Sequence, residues 1–258
     1  MSNRGPAGPG TSTSRPLKTI HDKTKIPGDT GYFAIMYLYD LYLRQNGKAF
    51  FTEDGLGFDK ADLTEWWTDG YNRVKAGIVT DPKIVSQDQP KSSLSAGHGA
   101  SEFTWDNFTV RYSAEGDSEY GLAPIPTTDG KRTGQYLASL MLSASSRTSH
   151  PKEVAQFIDF MVHDPRVGKI MGYDRGILAS TEQYEAYRPT DTVNKEIAQY
   201  EEDTAEAGVL GTITPTLPVP TPSRPPFLRI GGDLGQGRAK VSDAVNQLFT
   251  EAEAAFQA

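Results

Sequence analysis

Residues 120–180 read YGLAPIPTTDGKRTGQYLASLMLSASSRTSHPKEVAQFIDFMVHDPRVGKIMGYDRGILAS, and the order of elements in this stretch decides the fold class. Tyr120–Ile125 is an apolar run that Pro126 ends, since proline brings no N–H to a ladder; it predicts a buried strand. Tyr136–Ala144 predicts a second apolar strand. Ser149, His150 and Pro151 then start a helix whose Val154, Phe157, Ile158 and Met161 fall at i, i+3, i+4 and i+7, a single apolar face. His163, Asp164 and Pro165 close it, because the residue before a proline avoids the helical region. Strands interleaved with helices predict an α/β protein rather than separated layers.

Working upstream, residues 32–46 (YFAIMYLYDLYLRQN) predict a helix that Gly47 stops, with Asp40 and Arg44 four apart and able to pair on the solvent face. Glu53, Asp54 and Gly55 are turn chemistry between two short extended pieces. Asp59 opens a second helix to about Ala76, carrying Leu63, Trp66, Trp67, Gly70 and Val74. The adjacent tryptophans diverge by about 100° on a helix, so one joins the apolar stripe and the other stays unassigned. Residues 80–99 are polar and loop-like, and Glu102–Asn107 predicts a short strand running into a turn or helix start. Downstream, Thr190 or Asp191 caps a helix to about Gly208 with Val193, Ile197 and Tyr200 inward. Prolines between Pro215 and Pro226 predict a stiff extended connector, and Val241, Ala244, Val245, Leu248, Phe249 and Ala252 a closing amphipathic helix.

Composition narrows the function. The chain has 258 residues, 26 Lys plus Arg against 33 Asp plus Glu, and a net charge of −7. That balance argues against a nucleic-acid partner, which requires a basic face. There is no cysteine, which removes disulfides, thiolate metal sites and a cysteine nucleophile. Apolar runs are broken by Asp, Arg or Lys before they reach membrane-spanning length. Residues 1–30 are rich in Gly, Pro, Ser and Thr and lack the apolar run of a secretory signal; they are expected to be a disordered lead-in.

Enzyme signals are sparse. His21, His98, His150 and His163 are scattered without metal-ligand spacing, and no GxSxG or phosphate loop occurs. Residues 231–237 (GGDLGQG) lack dinucleotide-loop spacing and are expected to be a loop. Ser149–Lys152 matches SxxK, a motif short enough to arise by chance, and Pro151 suits a helix start better than acyl transfer. Nothing singles out a glycosidase pair among the carboxylates. No metal or cofactor is called for.

The positive signal is aromatic residues beside small polar hydrogen bonders. Trp105, Asp106 and Asn107 place an indole next to a carboxylate and an amide, a grouping suited to a sugar, whose C–H face packs on a ring while its hydroxyls need donors and acceptors. An ordinary core role for Trp105 is an equal reading of the residues alone.

The series FAIMYLYDLYLRQNGKAFF, FDKADLTEWWTDGYNRVKAG and FTWDN, followed by residues 120–180 and the closing GRAKVSDAVNQLF (237–249), resembles the family 1 extracellular solute-binding proteins of ABC sugar importers. The likeness is to actinobacterial carbohydrate-binding members and, more distantly, to maltose-binding protein. It implies an α/β, type II periplasmic-binding-protein-like fold of two lobes with ligand in the cleft. Residues 31–123 and 168–258 would form the C-terminal lobe, and 124–167 an excursion into an N-terminal lobe most of which is lacking. It implies a non-enzymatic carbohydrate-binding component, extracellular and membrane-tethered, probed by a sugar or oligosaccharide, partnered by permease subunits and monomeric. Carried over residue by residue, it points to Tyr32, Phe103, Trp105, Asp106, Asn107 and Arg175 as ligand contacts. Two other readings stay open: a remnant that keeps a core without a competent site, and a glycoside-processing enzyme using the same aromatics. With one cleft wall, weak binding or none is expected.

Overall fold

The computed structural model describes residues 14–52, 55–127, 131, 134–136, 141–211 and 226–256. In chain order the elements are α1 (Ser14–Thr24), α2 (Met36–Gln45), β1 (Phe51–Thr52), β2 (Gly55–Leu56), α3 (Lys60–Lys75), α4 (Pro82–Asp88), α5 (Phe108–Glu115), β3 (Gly134–Gln135), α6 (Pro151–His163), α7 (Pro165–Met171), α8 (Thr181–Ala186), α9 (Thr192–Glu206), β4 (Leu210–Gly211), α10 (Pro226–Gly235) and α11 (Val241–Phe256). β1 pairs antiparallel with β2, Phe51 opposite Leu56, and β3 pairs parallel with β4, Gly134 opposite Leu210. The chain is mixed α/β with helix far outweighing strand. It divides into two units: residues 1–103, 124–136 and 209–258 in the first, and 104–123 and 137–208 in the second.

The first unit is built around α3. Asp59 caps it by accepting the N–H groups of Ala61 (2.8 Å) and Asp62 (3.0 Å), and Asp62 returns the bond to the Asp59 N–H at 2.9 Å, a reciprocal capping box. α3 then presents Leu63, Trp66, Trp67 and Gly70 to a core completed by Tyr39 and Leu43 of α2, Phe227, Ile230 and Leu234 of α10, and Ala244, Val245 and Leu248 of α11. Both tryptophans are buried, which resolves the one left unassigned. Each indole N–H donates to the Phe33 carbonyl, at 2.8 Å from Trp66 and 3.2 Å from Trp67.

Several expectations are corrected. Residues 14–30 are not an unstructured lead-in: α1 forms, Leu17 is buried, and the chain at Gly28 crosses so close that a Cβ there would meet the Leu17 backbone oxygen at 2.5 Å. Asp40 does pair with Arg44 (2.9 Å), but not on the solvent face; it is buried and also accepts the Phe50 N–H at 3.0 Å, tying the loop after α2 back onto the helix. The glycine-rich 231–237 segment is largely helical rather than a loop, most of it lying within α10. Its glycines are there for close packing: a Cβ on Gly231 would lie 2.9 Å from that of Ala34, and one on Gly235 2.8 Å from the Phe33 ring. Neither Glu102–Asn107 nor Tyr120–Ile125 is a strand. The Leu122 N–H bonds the Glu196 carboxylate (3.0 Å) instead of a neighbouring strand, so the apolar run has no ladder to join. The second expected strand falls partly outside the described residues, and 136 and 141–144 are not strand. The proline connector lies outside them up to 225.

In the second unit α7 packs on α8, α6 on both, and α9 on α5. Asp164 caps α7, accepting the Arg166 N–H at 2.8 Å, and Gln183 of α8 donates to the carbonyls of Met161 (3.1 Å) and Asp164 (3.0 Å). α6 buries none of its residues fully; Phe157, Phe160 and Val162 are exposed. Among the described residues no helix is long and apolar enough to cross a membrane.

The close approach of α3 to Phe33 sets a test. A Cβ on Gly70 would lie 2.3 Å from the Phe33 Cβ, so Gly70→Ala is expected to destabilise the protein by about 1–3 kcal/mol through overpacking. On α10, Gly232 has nothing within 4 Å of its would-be Cβ, and Gly232→Ala should stabilise by about 0.5–1 kcal/mol through helix propensity. Thermal unfolding of the pair checks both signs; equal shifts would refute the packing account.

Candidate functional site

The second unit begins at Thr104, and the next three residues make a turn rather than a strand. The Phe108 N–H bonds the Trp105 carbonyl (3.1 Å), the Asp106 carbonyl takes both the Thr109 N–H (3.1 Å) and the Thr109 hydroxyl (2.6 Å), and Asp106 Oδ1 accepts the Asn107 N–H (2.8 Å). Asn107 stands at the N-cap of α5 but does not cap it. Its backbone is already helical, which turns the side chain away from the free N–H groups. The amide reaches out instead and donates to the Asp174 carbonyl at 2.9 Å.

That bond grips one side of the 172–176 turn. The other side is held by Asn194 at the start of α9, whose Oδ1 accepts the Tyr173 N–H (3.0 Å) and whose own amide is fixed by Asp191 (3.0 and 3.1 Å). Gly172 opens the turn at φ 53°, where an L side chain is strained and a Cβ would also meet the Tyr187 hydroxyl at 2.9 Å. The Tyr173 ring is buried edge-on against Tyr187, at 5.0 Å. Arg175 therefore sits exposed at the tip of a turn tied down on both flanks, its guanidinium 3.3 Å from Asp174.

Behind the Trp105–Asn107 turn, Glu201 of α9 has the Asp106 carboxyl as its neighbour. Burial first, and the Asp106 contact second, push the Glu201 carboxyl up to about 7. Asp106 Oδ2 is buried with no donor among the described residues. The neighbouring Tyr200 phenol is pushed up by burial and then by Asp106 and Glu201.

Of the six expected contacts, Trp105, Asp106, Asn107 and Arg175 thus lie in the second unit, the last three joined through Asp174 or the turn itself. Tyr32 and Phe103 lie in the first. Tyr32 is buried; its hydroxyl donates to Asp69 Oδ2 (2.8 Å), which also takes the Arg73 Nε at 2.7 Å. Burial raises the Tyr32 phenol far above its ordinary range. Its ring meets Trp66 at 5.4 Å and the half-buried Phe103 at 5.9 Å, both edge-on. Sequence reading missed Asp174, Asn194 and Glu201. Asp174 adjoins Arg175 in the quoted stretch, and Asn194 follows a capping Asp191, but Glu201 carries no local signal. Among the described residues no group of three or more His, Cys, Asp or Glu could hold a metal ion.

Comparison with known proteins places the chain in a family. A model of the bacterial extracellular solute-binding proteins matches residues 15–165, more than half of the chain. Among solved structures, the chain is similar to an extracellular solute-binding protein family 1 member from Alicyclobacillus acidocaldarius (23% identity, 94% of this chain and 63% of that chain, TM-score 0.69). It is also similar to a periplasmic oligogalacturonide-binding protein from Yersinia enterocolitica seen with digalacturonic acid (17% identity, 95% of this chain and 66% of that chain, TM-score 0.71). A de novo designed cysteine esterase shares the fold (16% identity, 95% and 65% covered, TM-score 0.65), although this chain has no cysteine. These likenesses show the periplasmic-binding-protein-like α/β fold expected from the sequence. The chain spans under two thirds of the length of these proteins.

The Asn107 tie is directly testable. Asn107→Ala removes one hydrogen bond, worth about 0.5–1.5 kcal/mol, without uncapping α5. Hydrogen exchange at residues 173–176 should accelerate several-fold while α5 keeps its protection; unchanged exchange in the turn would refute the assignment.

Proposed function

The chain belongs to the bacterial extracellular solute-binding protein family, and on that premise we propose that it captures a sugar or oligosaccharide as the non-enzymatic binding component of an ABC-type import system. The observation that carries this reading is the Trp105 turn: a half-buried indole followed by an amide and flanked by Arg175 on a braced turn. A ring face binds the apolar side of a pyranose, while fixed donors and an arginine fork suit its hydroxyls. The oligogalacturonide-binding relative supports a carbohydrate ligand. Phe103 and Tyr32 belong to the first unit and are not part of this turn; there Tyr32 packs edge-on against Phe103 and is locked by Asp69. The protein works outside the cytoplasmic membrane, as a monomer, and delivers its sugar to permease subunits.

Stacking about 100 Å² of sugar on the Trp105 ring contributes about 2.5 kcal/mol at 25 cal/mol/Å². Trp105→Ala should accordingly weaken binding more than tenfold, with the melting temperature moving by only a few degrees. Calorimetric titration with neutral malto- and galacto-oligosaccharides and with digalacturonate measures this. Unchanged affinity, or a large loss of stability with unchanged affinity, would assign Trp105 to the core, and release of cleaved sugar would overturn the non-enzymatic reading.

A further inference from the structure

In the first unit the chain before α2 runs between two other segments, and Asp29 stands there with no exposed surface. On one side it bridges to Val79: the Gly28 N–H bonds the Ile78 carbonyl (2.8 Å) and the Asp29 carbonyl accepts the Thr80 N–H (2.9 Å). On the other the Ala100 N–H bonds the Pro27 carbonyl (2.9 Å), and the Thr30 N–H bonds the Ser101 carbonyl (3.0 Å). Asp29 Oδ1 accepts the Gly31 N–H at 2.7 Å, which leaves Oδ2 facing the Ser101 hydroxyl at 3.3 Å. That hydroxyl has one proton to give, and the Gly28 carbonyl lies nearer to it, at 2.8 Å. With the serine proton on Gly28, Oδ2 meets only hydroxyl lone pairs, and the contact becomes a bond once Asp29 carries a proton of its own. The surrounding charges do not supply a cation. Glu102 accepts the Ser92 hydroxyl (2.8 Å) and repels a charge on Asp29. The Tyr32 hydroxyl goes to Asp69, which also holds Arg73, and the His98 ring goes to Asp88. Asp81 caps α4, Lys25 reaches back to the Asp22 carbonyl, and His21 lies over Gly77 with its Nδ1 buried and unpartnered among the described residues.

We propose that Asp29 is held as a neutral carboxylic acid that donates to the Ser101 hydroxyl while Ser101 donates to Gly28, a clasp between the two segments that opens when Asp29 ionises. Without its proton, Asp29 draws the Ser101 hydroxyl away from the Gly28 carbonyl, and a buried negative charge is set against Glu102. Burial first, opposed by the Gly31 N–H and joined by Glu102, pushes the Asp29 carboxyl up to about 7. The direction in pH follows from linkage. The folded protein holds this proton more tightly than the unfolded chain, whose aspartate ionises near 3.8. The clasp therefore gives its full stabilisation below that value and loses it as pH rises through about 7. The segment it releases runs through Glu102 to Phe103, whose ring meets Tyr32 at 5.9 Å, so the placement of that aromatic pair is tied to pH.

The test uses the full chain without sugar. The protein is labelled with ¹³C-aspartate, and the Asp29 carboxyl resonance, assigned with Asp29→Asn, should titrate with a midpoint near 7. Ser101→Ala removes the acceptor of the Asp29 proton, so the midpoint should fall by about half a pH unit or more. A hydroxyl that instead donates to an ionised Asp29 would make the midpoint rise in this variant. Asp29→Asn keeps the clasp at every pH, since its amide donates to Ser101 and its carbonyl accepts from Gly31. The folding constant of the parent relative to Asp29→Asn, from urea unfolding, should therefore fall about tenfold per pH unit between about pH 5 and about pH 7 and level off above. This comparison serves if Ser101→Ala folds poorly. A parent midpoint below about 5, a midpoint that rises in Ser101→Ala, or a parent-to-variant ratio that stays flat would each overturn the clasp. Since no sugar is present, failure here leaves the solute-binding reading standing, and absence of sugar binding leaves the clasp standing.

Discussion

One carbonyl oxygen carries an unusual share of the first unit. Phe33 O accepts two indole N–H groups, from Trp66 and Trp67, and so satisfies two buried donors that would otherwise each cost about 1–3 kcal/mol. Adjacent tryptophans on a helix normally face different ways, and only an acceptor placed over the helix between them lets both be buried. Phe33 reaches that place because Gly70, one turn on from the tryptophans, has no side chain: its would-be Cβ lies 2.3 Å from that of Phe33. Gly235 yields to the same ring from α10, and Gly231 to Ala34 beside it. Three glycines and one carbonyl thus fix how α3, α10 and the chain before α2 approach one another. The aromatic shell of Tyr32, Tyr39, Phe50, Phe58 and Phe227 then packs around them.

The second unit is held differently. Its buried apolar residues are few, among them Tyr112, Val167, Tyr173 and Ile197, and much of its order comes from side chains reaching across to backbone. Gln183 ties α8 to the α6–α7 junction, Asn194 ties α9 to the 172–176 turn, and Asn107 ties that turn to α5. Each such bond is worth about 0.5–1.5 kcal/mol, against about 1.5–3 kcal/mol for a buried large aliphatic side chain. Units stitched in this way open locally at lower cost than units with a continuous core.

How far the sequence was readable follows from the range of the interactions. The start of α3 was legible from Asp59, whose cap acts within its own first turn, and the ends of α6 and the start of α9 were legible from Pro151, Pro165 and Asp191. Trp105, Asn107 and Arg175 could be singled out by residue type and by resemblance. What failed depended on partners distant in sequence. α1 is short of aliphatics and forms because Leu17 finds Gly28; the glycines of α10 look like loop residues until Phe33 and Ala34 are placed against them. The apolar run at 120–125 reads as a strand, but strand formation needs a neighbour's free edge, and Glu196 supplies the acceptor for Leu122 instead. Periodicity placed Val154, Phe157, Ile158 and Met161 on one face of α6 without stating what covers it, and Phe157 is 57% exposed.

The two styles of construction bear on recognition. A sugar presents a thin apolar face and many hydroxyls, so its capture requires one flat ring and several polar groups whose positions are fixed before it arrives. A continuous apolar core supplies few such groups, since most of its buried donors and acceptors are already engaged, as the Phe33 carbonyl and the Tyr32–Asp69 bond show. Chain ends and turns can supply them, provided that other bonds hold the turn still. Asn107 and Asn194 do this for the 172–176 turn from opposite sides, and the Asp106–Thr109 bonds do it for the turn that carries Trp105. The bracing groups are single polar bonds, so they answer to local opening more readily than an apolar core does. The second unit, with little core of its own, thus takes its order from turns held by side chains that reach across to backbone.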